Sequence, residues 1–404
     1  MIRFKKNDGS NYPDLERHTL KEYLKFKNGL NVPKEKFGTG IKYISVLDIL
    51  NNISITYDAI RGMVDIDEDT LKEFSVEYGD ILFQRSSETK IDAGKANVYL
   101  DKDNTATFGG FIIRGKKIGE YNPIYMNYLL KSEKVRKQII RKAQGEQHVN
   151  VGQEMLETIS IAIPCMSEQQ KIADFLSAID DIITSSQKEV INLEEQKKGV
   201  IQKIFSHEVR FKVDDGSQYP DWEEVYLSEV LSEYKETCSK DGTYEHVSLT
   251  KQGVVPKTEQ YERDFLVTSD DKKYRITHYN DICYNPANLK FGVICRNRYK
   301  DAIFSPIYVT FKINSGYIPE FVETMVTRAD FINYALKYQQ GTVYERMAVS
   351  SEDLLKIHVL VPCIEEQQKI TDLLSNFDTA IDLAKQELEQ WKELKKGLLQ
   401  QLFE

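Results

Sequence analysis

The closest approach to a catalytic set in this 404-residue chain is Asp80 followed by Glu88-Thr89-Lys90. An acidic residue with a downstream Glu-x-Lys is how metal-dependent nucleases gather carboxylates around Mg2+ and set a lysine beside the attacking water. A nuclease hidden in the first half is therefore one reading. Phe37-Gly38-Thr39-Gly40 and Asn285-Pro286-Ala287-Asn288 are faint methyltransferase elements. The first lacks the acidic context of a methyl-donor site, and the second lacks the aromatic residue that would stack on a flipped adenine. No G-x-x-x-x-G-K-[ST] loop is there to cradle a nucleotide phosphate. The six histidines form no H-x-x-x-H or H-x-E cluster. Cys165, Cys238, Cys283, Cys295 and Cys363 are odd in number and contain no C-x-x-C pair. They read as buried thiols in a reducing compartment, not as a disulfide framework or a zinc knuckle. No catalytic residue, metal or cofactor is expected on this chain.

The chain is long enough for two or three domains, and its 41% hydrophobic and 29% charged residues are those of a soluble globular protein. No apolar run is long enough to span a bilayer, and the opening MIRFKKNDGS has no signal-peptide stretch. A cytoplasmic location without a membrane partner is expected. The formal charge of -9 opposes a nucleic-acid partner unless Lys and Arg are clustered, since phosphate contacts need local positive charge.

The elements that would position any site come in duplicate. Arg3-Phe4-Lys5-Lys6-Asn7-Asp8-Gly9-Ser10-Asn11-Tyr12-Pro13-Asp14 returns as Arg210-Phe211-Lys212-Val213-Asp214-Asp215-Gly216-Ser217-Gln218-Tyr219-Pro220-Asp221. Ile163-Pro164-Cys165-Met166-Ser167-Glu168-Gln169-Gln170-Lys171-Ile172 returns as Val361-Pro362-Cys363-Ile364-Glu365-Glu366-Gln367-Gln368-Lys369-Ile370. The offset is 207 residues at the first pair and 198 at the second, so the flanks are copied while the middles have diverged. Fainter anchors remain: Tyr43-Ile44-Ser45-Val46 with His246-Val247-Ser248-Leu249, Gly79-Asp80-Ile81-Leu82-Phe83 with Asn280-Asp281-Ile282-Cys283-Tyr284, and Gln144-Gly145 with Gln340-Gly341. Their β-branched and aromatic residues suggest shared strands carrying unlike loops.

After each Pro-Cys, a proline-free stretch predicts a helix, with Ser167 and Gln170 as a capping pair. Ile172, Leu176, Ile179, Ile183, Ser186, Val190, Leu193, Lys197, Val200 and Ile204 alternate spacings of four and three. Ile370, Leu374, Phe377, Ile381, Ala384, Leu388, Trp391, Lys395, Leu398 and Leu402 keep the same rhythm. Such a heptad seam supercoils two helices, with Lys197 and Lys395 as polar points that fix register. Each helix would be about 57 Å long at ~1.5 Å per residue. The plainer reading is that each helix packs on its own globular domain. Two equal copies of one seam favour pairing with each other.

These residues resemble the specificity (S) subunit of Type I restriction-modification systems. The resemblance spans essentially the whole chain and rests on the Phe-Lys-x-x-Asp-Gly-Ser-x-Tyr-Pro-Asp pair, the Gly-Asp-Ile-Leu-Phe run from Gly79, and Ile-Pro-Cys-x-x-Glu-Gln-Gln-Lys-Ile before each long helix. It accounts for Asp80 as a strand motif, and Asp281 has no Glu-x-Lys partner. The chain ends at Phe403-Glu404 without a third Phe-Lys-x-x-Asp-Gly copy, read as the usual end of the second helix. The resemblance implies an α+β fold: two globular α/β target recognition domains in tandem, each followed by a long α-helix, the two helices forming an antiparallel coiled coil. The boundaries expected are 1–163, 164–208, 209–361 and 362–404. Each domain would read one half of a split site in double-stranded DNA. The helices, with Ile172, Leu176, Ile179, Ile183, Val190 and Leu193 facing Ile370, Leu374, Phe377, Ile381, Leu388 and Trp391, would set the spacer. They would also dock two methyltransferase (M) subunits, with restriction/translocase (R) subunits outside them. Methyl donor, Mg2+ and ATP would belong to those partners.

DNA contacts are expected in the divergent loops, where Arg, Lys, Asn and Gln reach base edges and phosphates. In the first reader these are Arg85, Ser86, Lys90, Lys95, Gln147, His148 and Asn150. In the second they are Asn288, Lys290, Arg296, Arg298, Tyr344 and Arg346. The basic run Lys131, Lys134, Arg136, Lys137, Arg141 and Lys142 reads mainly as a solvated surface. Two other classes stay open, a single-chain nuclease and a coiled-coil scaffold that binds protein.

Overall fold

Ile81-Leu82-Phe83 is apolar on successive residues and, with Gln84, buried throughout. A strand of that kind needs cover on both faces. A computed structural model, which describes residues 2–145, 148–239, 242–257, 273–340 and 347–403, supplies it. Ile81 and Phe83 face a core shared with helices, while Leu82 faces a second core with Ile44, Tyr99 and Phe108. In the other half Ile282 and Tyr284 enter one core and Cys283 another.

Both halves build the same four-stranded antiparallel sheet. Its order is Leu24–Asn28, Ile112–Lys117, Ile81–Gln84, Ala96–Val98 in the first half, and Leu231–Tyr234, Val309–Ile313, Ile282–Tyr284, Ile294–Arg296 in the second. A two-stranded ribbon closes each reader, Glu16–Thr19 with Ser160–Ile163 and Glu223–Tyr226 with His358–Val361. The faint anchor at Tyr43 is structural: Tyr43 pairs in parallel with Thr107, as His246 does with Ile303. The sheets carrying these anchors differ, with three strands in the first half and five in the second.

The long helices run Met166–Phe205 and Ile364–Phe403. Their start differs from the expected capping pair, because the Cys165 carbonyl accepts the amides of Glu168 and Gln169 and leaves Ser167 inside the first turn. Each helix has one interior glycine, Gly199 or Gly397, costing about 1 kcal/mol relative to alanine.

The chain divides into two compact units, Met1–Ile191 with Leu383–Glu404, and Asn192–Asp382. In the first, Ile172, Leu176, Ile179, Ile183 and Val190 share a core with the reader's Tyr125 and Leu129 and with Leu388, Leu402 and Phe403. Lys395 is bonded to Asp180, and Phe403 packs on Tyr125 with ring centroids 5.5 Å apart. In the second unit Ile370 and Leu374 share a core with Phe321, Val322 and Ile204. Lys197 donates to Asp378 at 2.5 Å, and Phe205 stacks on Phe321 at 5.6 Å. The two readings of the seam are therefore combined: within each unit it packs on the reader and on a stretch of the other helix at once. Ile381 is also buried, while Leu193, Phe377 and Trp391 are half-buried.

Cys283 and Cys295 are buried cross-strand neighbours, as expected of core thiols. Cys165, Cys238 and Cys363 correct that expectation, being only partly buried because they lie at a helix start or in a short edge strand.

Candidate nucleic-acid interface

The duplicated motifs clasp each other. Glu168 is 1% exposed and receives the Arg3 guanidinium, with Nε at 3.2 Å. Glu366, equally buried, receives Arg210 at 2.8 Å and the Trp222 indole at 3.2 Å. Arg3 and Arg210 also donate to the carbonyls of Pro13 and Pro220, both at 2.6 Å, closing the arm that holds each Asp-Gly-Ser turn. These carboxylates hold both guanidinium pKa values up. The next residue, Gln169 or Gln367, ties the helix start to the reader by accepting the amide of Asn122 or Ile318 at 2.9 Å. Gln170 and Gln368 bond Asp174 and Asp372 at 2.7 Å. Lys171 reaches Asn7 at 2.7 Å, and Lys369 pairs with Asp214. Every residue of Glu-Gln-Gln-Lys thus has a scaffolding partner.

Asp80 is likewise framework. Its carboxylate accepts the amides of Lys117 at 2.9 Å and Glu77 at 3.1 Å, and burial raises its pKa. Asp281 is held by Tyr234 and by the His278 amide. No group of three or more His, Cys, Asp or Glu suited to a metal occurs among the described residues. Asn285 caps the 3-10 turn Pro286–Phe291, accepting the amide of Ala287 at 3.1 Å. Most of the basic run is also internally engaged: Arg136 donates to the carbonyls of Ile91 and Ala93, Lys137 pairs with Glu133, and Lys142 donates to Thr158.

Several first-reader candidates converge. Ser86–Ser87 pairs with Val149–Asn150, so the Ser86 hydroxyl meets Asn150. The Arg85 carbonyl accepts the Val151 amide at 3.0 Å, while its guanidinium makes one long contact, 3.4 Å to the Gly110 carbonyl. Arg85 and Asn150 line a groove of 790 Å³ together with Asn28, Lys142, Gln144 and Gln153. Asn28 and Gln153 escaped sequence reasoning; their only signal is that they are polar residues at a strand end and a helix start. Exposed His148 lies two residues before the groove-lining Asn150, whose backbone pairs with that of Gln144. Gly145 is obligatory there, since φ is +114° and a Cβ would lie 2.1 Å from the His148 carbonyl oxygen. Lys90 is exposed, and Lys95 pairs with Asp92 at 2.6 Å. Gln147 lies outside the described residues, as do Tyr344 and Arg346.

The second reader keeps the backbone and changes the side chains. The Pro286 carbonyl accepts the Val349 amide at 3.2 Å, and Gln340 pairs with Ala348, so Pro286 stands for Arg85 and Ala348 for Asn150. Lys290 is exposed beside the bare Phe291 ring, and Asn288 is partly exposed. Arg296 is 6% exposed and bound to Glu320 at 2.8 Å and Glu323 at 3.0 Å, which fixes it in the framework. Arg298 is bonded to Glu323 at 2.8 Å.

The profile of the Type I restriction modification DNA specificity domain matches residues 13–195 and 323–393. The chain belongs to this family. A type I restriction enzyme specificity subunit of Methanocaldococcus jannaschii, MjaX, is 26% identical over 99% of this chain and 95% of its own length. The MjaVIII specificity subunit of that organism is 25% identical over 69% of each chain. The S subunit from M. genitalium shares the fold with a TM-score of 0.55 and 16% identity, covering 100% of this chain and 99% of its own. A chain solved in work on type I R-M complex assembly superposes with a TM-score of 0.60 at 11% identity, covering 97% and 98%. The specificity subunit is the DNA-recognising, non-catalytic component of its system, and this is the role of the chain. No helix among the described residues is long and apolar enough to cross a membrane.

Proposed function

We propose that the two readers, residues 1–163 and 209–361, each recognise one half of a bipartite site in double-stranded DNA, while the helices within 164–208 and 362–404 pair antiparallel and set the spacer. One observation carries this reading: Arg85 and Pro286, and Asn150 and Ala348, occupy matching backbone positions with unlike side chains. Two readers of different half-sites need that combination, because backbone placement fixes register and side chains distinguish bases. Opposed running of the helices is supported by Asp180 with Lys395 and Asp378 with Lys197.

In the first reader the proposed contact surface is Arg85, Ser86, Lys90, Lys95, Gln147, His148 and Asn150. In the second it is Asn288, Lys290, Tyr344 and Arg346, while Arg296 and Arg298 serve as local scaffold. Two methyltransferase subunits bind the helices and restriction subunits join outside them in the cytoplasm. Methyl donor, Mg2+ and ATP act on those partners.

Mapping methylated adenines in the encoding genome tests the reading. A split motif that vanishes when this chain's gene is deleted is expected, and an unchanged methylation pattern would overturn it.

A further inference from the structure

The two readers match residue for residue around one turn. Tyr43 and His246 pair with Thr107 and Ile303, and Phe83 and Tyr284 pair with Ile113 and Val309, so residues 107–113 correspond to 303–309. Both turns close the same way: the Ile112 amide donates to the Gly109 carbonyl at 2.9 Å, and the Tyr308 amide to that of Ser305 at 3.1 Å. The residue that enters each turn, Phe108 or Phe304, is fully buried. The third residue of each turn is thrown outward, Phe111 with 69% exposure and Ile307 with 60%. Neither joins a hydrophobic cluster among the described residues. Both turns are nonetheless firmly held. In the first reader a Cβ on Gly109 would collide with the Tyr43 hydroxyl and one on Gly110 with the Asn31 amide, so the turn is clamped from beneath. In the second, Pro306 fixes the backbone at the Gly110 position, and the Phe304 and Tyr308 rings pack with centroids 5.1 Å apart. A large apolar side chain on a rigid turn, outside every core, is presented to a partner. Tyr78 and Tyr279 also match and are exposed, but they precede the strand whose far end leads to Arg85 or Pro286.

The neighbouring residues identify that partner. The register that pairs Gln84 with Ile112 places Arg85 opposite Phe111, and the Arg85 amide donates to the Phe111 carbonyl at 2.8 Å. Continued two residues beyond Tyr284 and Val309, the second register places Pro286 opposite Ile307. Cross-strand partners point to the same side of a sheet with Cβ atoms about 5 Å apart. Phe111 therefore stands beside the Arg85 side chain, which walls the groove with Asn28, Gln144 and Asn150. Guanidinium and amide groups hydrogen-bond base edges, and in the major groove, where all four base pairs can be told apart, the thymine 5-methyl is the one apolar group on offer. We propose that Phe111 and Ile307 are specificity-determining residues, each seated on the 5-methyl group of a thymine in its reader's half-site. This rests on the half-site reading above. A wedge driven between base steps, the other use of an exposed Phe or Ile on DNA, would have no need of base-reading groups at its side.

The test measures binding of the full chain, with the modification subunits of its system, to a duplex carrying the mapped site. Companion duplexes replace every thymine of one half-site by deoxyuridine, which removes only the 5-methyl groups. Phe111→Ala and Ile307→Ala alter exposed side chains, so an unchanged melting temperature is expected and checks the fold. One apolar methyl contact corresponds to about a fourfold change in affinity. Deoxyuridine in the first reader's half-site should weaken the unaltered chain by about fourfold or more. Phe111→Ala should bind the thymine duplex more weakly and then lose about fourfold less than the unaltered chain on that deoxyuridine duplex. Its response to deoxyuridine in the other half-site should be unchanged, and Ile307→Ala should show the reverse pattern. Variants that bind the thymine duplex as the unaltered chain does, or that lose as much on deoxyuridine, would overturn the contacts. Weaker binding with a smaller DNA bend and no coupling to the methyl groups would mark a wedge and also overturn them. An unaltered chain that binds the mapped duplex no better than an unrelated one would defeat the half-site reading itself.

Discussion

Lys197 and Asp378 lie on different long helices and are joined at 2.5 Å. Their repeat counterparts, Lys395 and Asp180, are joined in the same sense. The surroundings differ: the Asp180 side chain is 8% exposed and also accepts the Tyr128 hydroxyl, whereas that of Asp378 is 48% exposed. Removing a buried acceptor strands its partners, and removing a solvated one does not. Asp180→Ala should therefore lower stability by about 3 kcal/mol and Asp378→Ala by less than about 1 kcal/mol, read from denaturant titration of the full chain. Equal losses would contradict the assigned environments.

Glu366 holds Arg210 and the Trp222 indole at one buried carboxylate. Glu366→Gln keeps the shape and removes the charge, leaving the guanidinium short of its counter-ion. A loss of about 3 kcal/mol is expected, with a red shift in tryptophan emission as Trp222 becomes hydrated. Unshifted emission with full stability would show that the clasp does not restrain the arm.

On the two readers' proposed contact surfaces, Arg85 is held by one long hydrogen bond, 3.4 Å to the Gly110 carbonyl, and exposed Lys290 lies against the Phe291 ring. Arg85→Glu or Lys290→Glu should weaken binding of a site-bearing duplex and flatten its salt dependence by about one unit of slope or more. Fluorescence anisotropy across a salt series measures both. If both slopes stay unchanged, these loops lie outside the interface.

His18 is bonded to Glu22 at 2.7 Å and to Glu16 at 3.2 Å, and these carboxylates raise its pKa above 6.5. Glu22 falls from 4.5 to about 2, chiefly through His18. The imidazolium contribution is complete below pH 6.5 and is lost as pH rises through the folded value; the Glu22 contribution is present above pH 4.5 and lost on descent toward about 2. The melting-temperature gap between the unaltered chain and His18→Gln should be widest between pH 4.5 and pH 6.5 and should close as pH rises through the raised His18 value. A gap independent of pH would remove charge from the account.

Much of the fold was legible because the chain carries its own comparison. Copied flanks and matching heptads identified two readers and two helices, and the Gly79 run marked the central strand. The work of the motifs was not legible. Arg3 and Glu168 are far apart in sequence, and nothing local to either signals that they meet. Arg296 misled for the same reason, since nothing local signals Glu320 and Glu323. The groove at Arg85 depends on Asn28 and Gln153, which only the tertiary fold brings to it.

The placement of Phe403 on Tyr125 has a consequence for how the polypeptide is made. The unit spanning Asn192–Asp382 is continuous in sequence, so its core can close while the chain is still emerging from the ribosome. The unit that begins at Met1 needs Leu388, Leu402 and Phe403, which are synthesised after the whole of the other unit. The half made first is thus completed second, and until Leu388, Leu402 and Phe403 emerge the part of the Tyr125 and Leu129 face that they cover stays open, the interval in which a chaperone would be needed most.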